Sequence, residues 1–225
     1  MPLLYSFGKV TVGNLLLLGW RPKVEGIENV PTTGGAIFAG NHISVADELF
    51  LGAVVPRHLA FWAKSEYFQG TGVRGALLRK MMEGLGTIKV ERAGGRAALT
   101  AFDAAIPVLK AGDMVVVYPE GTRSPDGRLY RGRTGVARLA VAAGVPIIPV
   151  GVLGTEKVQP IGQPYPKPNG WGKITVKFGK PIETVGHPDD RTALRALTDQ
   201  VMGEIQKLTG QEYVPKYAPS KAPAA

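Results

Sequence analysis

The chain has 225 residues, of which 44% are apolar and 20% charged, a composition that suits one folded domain with a sizeable core. It contains no cysteine and three histidines, which excludes disulfides, thiolate metal sites and a cysteine nucleophile and leaves no histidine-rich metal site to expect. A net charge of +9 suits a nucleic acid, an anionic lipid surface or a phosphorylated substrate equally well.

The chain opens on an apolar segment, residues 2–20. Lys9 interrupts this segment, and Trp20 and Arg21 close it. No run of eighteen uncharged apolar residues is present, so a conventional transmembrane helix is not indicated. A secretory signal would carry its positive charge ahead of the apolar core, whereas aromatic and basic residues at the end of an apolar helix are typical of an in-plane membrane anchor. We predict a membrane-interface helix over residues 1–21; the alternative is a helix packed on the core of the domain.

A histidine and an aspartate follow the first strongly apolar strand, residues 36–40. His42 comes directly after the strand, and Asp47 stands in Ser44-Val45-Ala46-Asp47, which has the form of a helix-opening capping box. A carboxylate there can hold one imidazole nitrogen while the other faces a cleft, as a general base requires. Taken alone, the pair could equally be a structural histidine and a helix cap.

Strands then alternate with helices along most of the chain. Apolar runs predict strands near residues 24–27, 59–63, 86–90, 114–118, 145–152 and 173–178. Amphipathic or small-residue stretches predict helices near residues 46–55, 73–82, 96–111, 134–143 and 189–208. This order predicts an α/β fold over residues 22–210, with a mixed, largely parallel sheet flanked by helices. Pro146 and Pro149 favour an edge or irregular strand, and residues 211–225 are expected to form a flexible tail.

Polar side chains follow four of the predicted strands, and such strand ends form the site in sheets of this kind. They are His42 with Asp47, Lys64, Arg92, and Glu120-Gly121-Thr122-Arg123. A guanidinium group can grip phosphate oxygens bidentately, an ammonium group acts as a point charge, and a glycine lets the backbone approach a ligand. Glu120 could accept a hydrogen bond from a ligand hydroxyl or orient Arg123. Each residue alone could be an ordinary surface residue, but together they predict a phosphate pocket beside a general base, with no metal.

Four sequence blocks, in this order, resemble those of the glycerophosphate and lysophosphatidic acid acyltransferases, the lysophospholipid acyltransferase superfamily. Residues 41–47 match the NHxxxxD motif of that family, and residues 86–92 look like its second block, with Lys89 where an apolar residue is more usual. Residues 118–124 are similar to the FPEGTRS block, with tyrosine in place of phenylalanine, and residues 145–150 match the proline-bearing fourth block.

The resemblance implies a glycerolipid acyltransferase-like domain preceded by a membrane-associating helix. It implies transfer of a fatty acyl group from acyl-CoA or acyl-ACP to the free hydroxyl of 1-acylglycerol 3-phosphate, giving phosphatidic acid without a cofactor. His42 and Asp47 would be catalytic, and Arg92 would contact the acceptor phosphate. No enzyme nucleophile is needed, since a thiol with a pKa of about 8.5 leaves readily; Ser44 is a conceivable nucleophile but is better explained as a helix cap.

The expected partners are lysophosphatidic acid, the acyl donor and an anionic membrane surface at the cytoplasmic face of the cell membrane, with no nucleic acid. Three alternatives stay open. The acceptor could be glycerol 3-phosphate, another lysophospholipid or a glycolipid, and the chain could be a non-catalytic lipid-binding module. The charge also permits a nucleic-acid-binding protein, although no nucleic-acid motif is present.

Overall fold

The protein is described here from a computed structural model that covers residues 2–90, 95–160, 162–163, 165–167 and 173–219. The side chains of Lys64 and of residues 95–101 lie outside the described set.

Within the described ranges, six strands form the main sheet. In spatial order they are β1 (Lys23–Glu25), β9 (Thr175–Phe178), β8 (Ile147–Leu153), β2 (Ala36–Gly40), β6 (Met114–Val117) and β3 (Leu59–Ala60). All neighbours are parallel except β8 and β9, which are antiparallel. The predicted mixed, largely parallel sheet is therefore confirmed. Every residue of β2 and β6 is buried, as expected of parallel strands covered on both faces.

Helices cover both faces of the sheet. Alternate residues of β2 point to opposite sides: Phe38 packs in the cluster that contains α2 (Asn14–Trp20) and α3 (Ala46–Val54), and Ile37 packs in the other. The second cluster is formed with α6 (Gly95–Lys110), α7 (Gly135–Ala143) and α9 (Arg191–Thr209). The remaining helices are α1 (Leu3–Gly8), α4 (Glu66–Gln69), α5 (Gly72–Gly84) and α8 (Thr155–Val158).

Strand β8 lies inside the sheet, so the first of the two predicted alternatives, an edge strand, is wrong. It pairs with β2 on one side and with β9 on the other. Pro149 is tolerated because its carbonyl faces the β9 side, where it accepts a hydrogen bond from Gly179 N at 2.8 Å. The antiparallel register with β9 begins at the next residue, Val150, so the missing N–H of Pro149 interrupts no ladder bond.

The chain end is also more ordered than predicted. Besides the parallel pair β4 (Trp62–Lys64) and β5 (Ile88–Val90), a second small sheet joins β7 (Leu129–Tyr130) to β10 (Tyr213–Val214) in parallel. Ala218, further along, is 5% exposed. Backbone hydrogen bonds to β7 hold residues 212–216, which the sequence placed in a flexible tail; residues 220–225 lie outside the described set.

The N-terminal segment is helical from Leu3 to Trp20, with a π-helical turn at Lys9–Gly13. By length and composition alone it could cross a membrane: it has 18 residues and a mean hydropathy of 1.2. The expectation drawn from the sequence considered only uncharged apolar runs, whereas this helix reaches 18 residues with Lys9 included. Only 17% of the segment is buried, although Leu16 belongs to the same hydrophobic cluster as Phe38.

Lys9 fastens this segment to the domain. Its Nζ donates to the carbonyl oxygens of Gly52 (3.0 Å), Ala53 (3.4 Å) and Val55. These carbonyls close the last turn of α3, where backbone acceptors have no partner inside the helix. The charge thus faces the domain.

Candidate active site

The imidazole of His42 and the carboxylate of Asp47 meet at the carboxyl end of β2. His42 Nδ1 lies 2.8 Å from Asp47 Oδ2, and the Asp47 side chain is fully buried, whereas that of His42 is 14% exposed. The predicted contact between these two side chains is therefore present.

The partners of Asp47 determine which imidazole nitrogen carries the proton. Oδ2 also accepts the backbone N–H groups of Ile43 (2.8 Å) and Ser44 (2.9 Å), and Oδ1 accepts the hydroxyl of Thr155. Because Oδ2 is surrounded by donors, we assign the proton of the neutral ring to Nδ1. Nε2 then carries the lone pair, and it makes no hydrogen bond to any residue in the described part of the chain.

Three strand ends position this pair. The Asn41 side chain extends the pairing of β2 with β8, since Nδ2 donates to the carbonyl of Val152 and Oδ1 accepts its N–H, both at 2.8 Å. The carbonyl of His42 accepts Ser124 N at 2.7 Å, which ties it to the loop that follows β6. Thr155, after β8, supplies the hydroxyl on Asp47.

The start of α3 differs in detail from the predicted capping box. The helix begins at Ala46, and the Ser44 hydroxyl accepts the N–H of Ala46 at 3.0 Å, not that of Asp47. Asp47 Oδ2 accepts the backbone N–H of Ser44, which is the reciprocal hydrogen bond of a capping box. Ser44 Oγ also donates to the carbonyl of Gln159 at 2.6 Å, and the residue is fully buried. Its hydroxyl is thus engaged on both sides, which supports the structural role over a nucleophile.

Tyr118 stacks on the imidazole. The two ring centroids are 3.8 Å apart and the planes differ by 10°. The phenolic hydroxyl is buried and makes no hydrogen bond within the described residues. Burial, together with the nearby carboxylates of Glu48 and Asp47, raises the pKa of Tyr118 well above its usual value. The ring therefore contributes a flat apolar surface that fixes the orientation of His42.

The turn after Tyr118 carries the predicted phosphate-binding residues. Gly121 has a φ of +75°, which favours glycine, and its N–H donates to the carbonyl of Tyr118 at 3.0 Å. Thr122 and Arg123 are partly exposed, and Arg123 forms no ion pair with any described carboxylate. This placement leaves the Arg123 guanidinium available to an anion.

Glu120 points inward. It is 1% exposed, and its Oε2 accepts the N–H of Tyr130 at 2.8 Å. Burial raises the pKa of Glu120 to about 7, although the backbone N–H groups of Tyr130 and His42 oppose that shift. This buried position does not support the expectation that Glu120 contacts the substrate. Its carboxylate instead links the turn to Tyr130.

Two predicted cations cannot be placed at the site. Lys64 is the last residue of β4 and pairs with Val90 of β5, but its side chain is not described. Arg92 lies outside the described residues. Their phosphate-binding roles stay predictions.

Thr155 was missed from the sequence. The rule that polar residues at strand ends form the site would have found it, because it stands two residues after β8. Among the described residues, no group of three or more His, Asp or Glu side chains could hold a metal ion.

An acyltransferase family model matches residues 21–153, more than half of the chain. The chain is 29% identical over 145 residues to a chloroplastic 1-acyl-sn-glycerol-3-phosphate acyltransferase of Arabidopsis thaliana, a match that covers 64% of this chain and 39% of the plant protein. This chain therefore spans about two fifths of that relative's length.

Two further relatives match over more of their length. A 1-acyl-sn-glycerol-3-phosphate acyltransferase of Bacillus subtilis is 27% identical over 209 residues, covering 91% of this chain and 96% of the relative. The crystal structure of the 1-acyl-sn-glycerophosphate acyltransferase PlsC from Thermotoga maritima superposes with a TM-score of 0.66 at 29% identity, covering 91% of this chain and 78% of that one.

Replacing Glu120 with glutamine will change how stability depends on pH. The folded-state pKa of about 7 exceeds the ordinary value of 4.5, so the folded protein holds this proton more tightly than the unfolded chain. The contribution of Glu120 to the stability of the wild-type protein therefore falls as pH rises from 4.5 to 7. The free energy of unfolding of Glu120→Gln, relative to that of the wild type, should rise by about 3 kcal/mol over that pH range and stay constant above it. Urea denaturation at a series of pH values measures it; parallel pH curves for the two proteins would contradict the shift.

Replacing Tyr118 with phenylalanine should raise the free energy of unfolding by about 1 kcal/mol, because a buried hydroxyl without a partner is removed while the ring stays. Tyr118→Leu, the matched control, removes the stacked ring as well and should lower it. Urea denaturation of both variants makes the test. A loss of about 1 kcal/mol in the phenylalanine variant would mean that the hydroxyl has a partner.

Proposed function

The chain belongs to the acyltransferase family, and we propose that it moves a fatty acyl group from a thioester donor to the free hydroxyl of 1-acylglycerol 3-phosphate, giving phosphatidic acid. The observation that carries this proposal is the His42–Asp47 pair, buried at a strand end beside the turn that contains Arg123. The plant and Bacillus relatives are named for acyl transfer to 1-acyl-sn-glycerol 3-phosphate, which supports this substrate class.

The chemistry needs a base and no nucleophile on the enzyme. His42 Nε2 takes the proton of the acceptor hydroxyl as its oxygen attacks the thioester carbonyl. Asp47, bonded to Nδ1, stabilises the imidazolium that forms. When the tetrahedral intermediate collapses, the carbon–sulfur bond breaks and the ester forms. The imidazolium then returns its proton to the departing thiolate, so the enzyme ends the cycle unchanged.

The phosphate of the acceptor would lie at the turn of residues 119–124. Arg123 supplies a guanidinium there, and Thr122 a partly exposed hydroxyl. Lys64 and Arg92 are proposed to complete the anion site from the carboxyl ends of β4 and β5, which are neighbours in the small sheet. Positive charge at this position would bind the phosphate dianion and set its distance from His42.

The acyl chain has an apolar groove available to it. A cavity of about 310 Å³ runs between the N-terminal helix and α3, lined by apolar side chains that include Leu16, Leu49 and Phe61. Glu48, the residue after Asp47 in α3, lines the groove, whereas His42 and Asp47 do not. Lipid tails are apolar, and sites of this size are typical of small-molecule binding.

We propose that the protein sits peripherally on the cytoplasmic face of the membrane. The outer side of the N-terminal segment exposes Leu3, Phe7, Val10, Leu15 and Leu18. Helix α5, which contacts α1, adds exposed apolar and basic side chains: Val73, Arg74, Leu77, Arg79 and Lys80. An apolar face beside basic residues suits an anionic leaflet, to which each Lys or Arg adds about 1 kcal/mol of attraction.

The catalytic proposal is tested by offering purified protein labelled acyl-CoA or acyl-ACP with a panel of acceptors. We expect transfer to 1-acylglycerol 3-phosphate, and a loss of roughly 10²–10⁴-fold in kcat for His42→Ala. His187→Ala, a change at a surface imidazole that is 75% exposed, is the matched control and should keep full activity.

Unchanged turnover in His42→Ala would exclude the base mechanism. Transfer only to glycerol 3-phosphate, another lysophospholipid or a glycolipid would contradict the acceptor, and no transfer at all would favour a lipid-binding module.

Membrane attachment is tested with the double variant Phe7→Glu, Leu15→Glu. Two charges on the exposed apolar face should abolish sedimentation with vesicles that contain phosphatidylserine, because carboxylates are expensive to bury in lipid and are repelled by anionic headgroups. Val185→Glu alters a side chain that is 86% exposed in the loop before α9, and it should bind as wild type does. Equal sedimentation of all three proteins would refute the anchor.

A further inference from the structure

We infer that Arg133, held in place by Tyr217 of the C-terminal segment, is an additional ligand for a substrate phosphate beside the turn of residues 119–124. The inference rests on the proposed function. Arg133 would contact the phosphate, and Tyr217 would act only through Arg133, as a positioning residue.

The C-terminal segment reaches the site because it is tied to β7. Glu212 O accepts Leu129 N at 2.9 Å, and Lys216 O accepts Arg131 N at 3.0 Å. These bonds extend the parallel pairing of β10 with β7 on both sides. These bonds place the phenol ring of Tyr217, the residue after Lys216, beside Arg131 and Arg133, which follow β7.

Arg133 is fixed at three points. Its backbone N–H donates to the carbonyl of Pro119 at 2.8 Å. Its guanidinium carbon lies 4.9 Å from the centroid of the Tyr217 ring, within the range of a cation–π contact. Its Nε and Cδ lie 3.2 and 3.3 Å from the position that a β-carbon on Gly121 would occupy. The absence of a side chain at Gly121 therefore lets the Arg133 side chain lie directly against the turn.

The charge at this place has no counter-ion in the described part of the chain. Arg131 shares the same ring, with its guanidinium carbon 5.6 Å from the Tyr217 centroid. Neither Arg131 nor Arg133 forms an ion pair with a described carboxylate, and Arg123 on the same turn forms none either. Arg138, by contrast, forms an ion pair with Asp189 at 3.3 Å.

Two guanidinium groups at one ring carry like charges, and a bound anion would offset their repulsion. Glu120, the nearest acidic residue of the turn, is buried beneath it with one oxygen bonded to Tyr130 N. The carboxylate of Glu120 is therefore not exposed on the solvent side of the turn. A phosphate ester is the anion that fits, because it can accept bidentate hydrogen bonds from each guanidinium.

Two substrates could supply that phosphate, the acceptor lipid and the acyl donor's carrier. The acceptor is favoured by distance: Ser124 N bonds to His42 O at 2.7 Å, so the turn lies beside the base that must contact the acceptor hydroxyl. The glycerol that carries that hydroxyl carries the phosphate as well.

The test is the KM and kcat of four variants, measured separately for acceptor and donor in the membrane-bound, full-length protein. Arg133→Ala should raise the acceptor KM by about tenfold or more with little change in kcat. Tyr217→Ala should raise it by about two- to fivefold, and Tyr217→Phe, which keeps the ring, should match wild type. Arg138→Ala is the arginine control and should also match wild type.

The double variant Arg133→Ala, Tyr217→Ala separates positioning from a merely structural role. If Tyr217 acts through Arg133, the double variant will be no worse than Arg133→Ala alone. If the rises in acceptor KM of the two single variants add in the double variant, the positioning role is overturned. A fall in kcat for Tyr217→Phe as large as that for Tyr217→Ala would also overturn it.

The acceptor and donor KM values of Arg133→Ala also show which substrate supplies the phosphate. A rise confined to the donor KM would keep the phosphate site and assign it to the carrier. Wild-type transfer with an unchanged KM in Arg133→Ala would overturn this inference alone, whereas absence of transfer by wild-type protein would count against the proposed function.

Discussion

The hydrogen bond between Asp47 and the imidazole of His42 depends on how the carboxylate itself is held. Asp47 is fully buried and receives hydrogen bonds from two backbone N–H groups, from a threonine hydroxyl and from the ring. A buried carboxylate with fewer partners would be costly, because each unmet acceptor loses its hydration. The donors come from the turn after β2 and from the residue that opens α8, so the carboxylate joins two strand ends. The same contacts that satisfy Asp47 fix the direction of His42.

The imidazole of His42 stacks on Tyr118 and lies beside the turn that carries Arg123. Tyr118 closes one face of the ring, and the groove beside α3 offers apolar surface for a lipid tail. The turn that follows Tyr118 leaves its arginine, Arg123, partly exposed and places its one carboxylate, Glu120, inward. That separation keeps negative charge away from the place where an anionic substrate would bind. Lys9 links the apolar N-terminal helix to the site, since it bonds to the end of α3, the helix that carries Asp47.

Much of this arrangement follows from patterns that are local in the sequence. Apolar runs placed β2 and β6, parallel strands bring their carboxyl ends to one edge, and His42 and the turn at Gly121 follow directly. What the sequence could not provide depends on contacts between distant segments. Pro149 looked like an edge residue because nothing local reveals on which side its missing N–H falls. Residues 211–219 looked like a tail because their partner, β7, is some eighty residues away. Glu120 looked like a ligand because its inward direction is set by Tyr130.

The central claim is that Asp47 holds the proton of the neutral His42 ring on Nδ1 and leaves Nε2 able to accept one. Long-range ¹H–¹⁵N correlation spectra of histidine-labelled protein measure this directly, at a pH where the ring is neutral, with the His42→Ala variant used to assign the signal. The account predicts a protonated Nδ1 and an unprotonated Nε2 at His42. A ring protonated on Nε2, with Nδ1 bare, would contradict it.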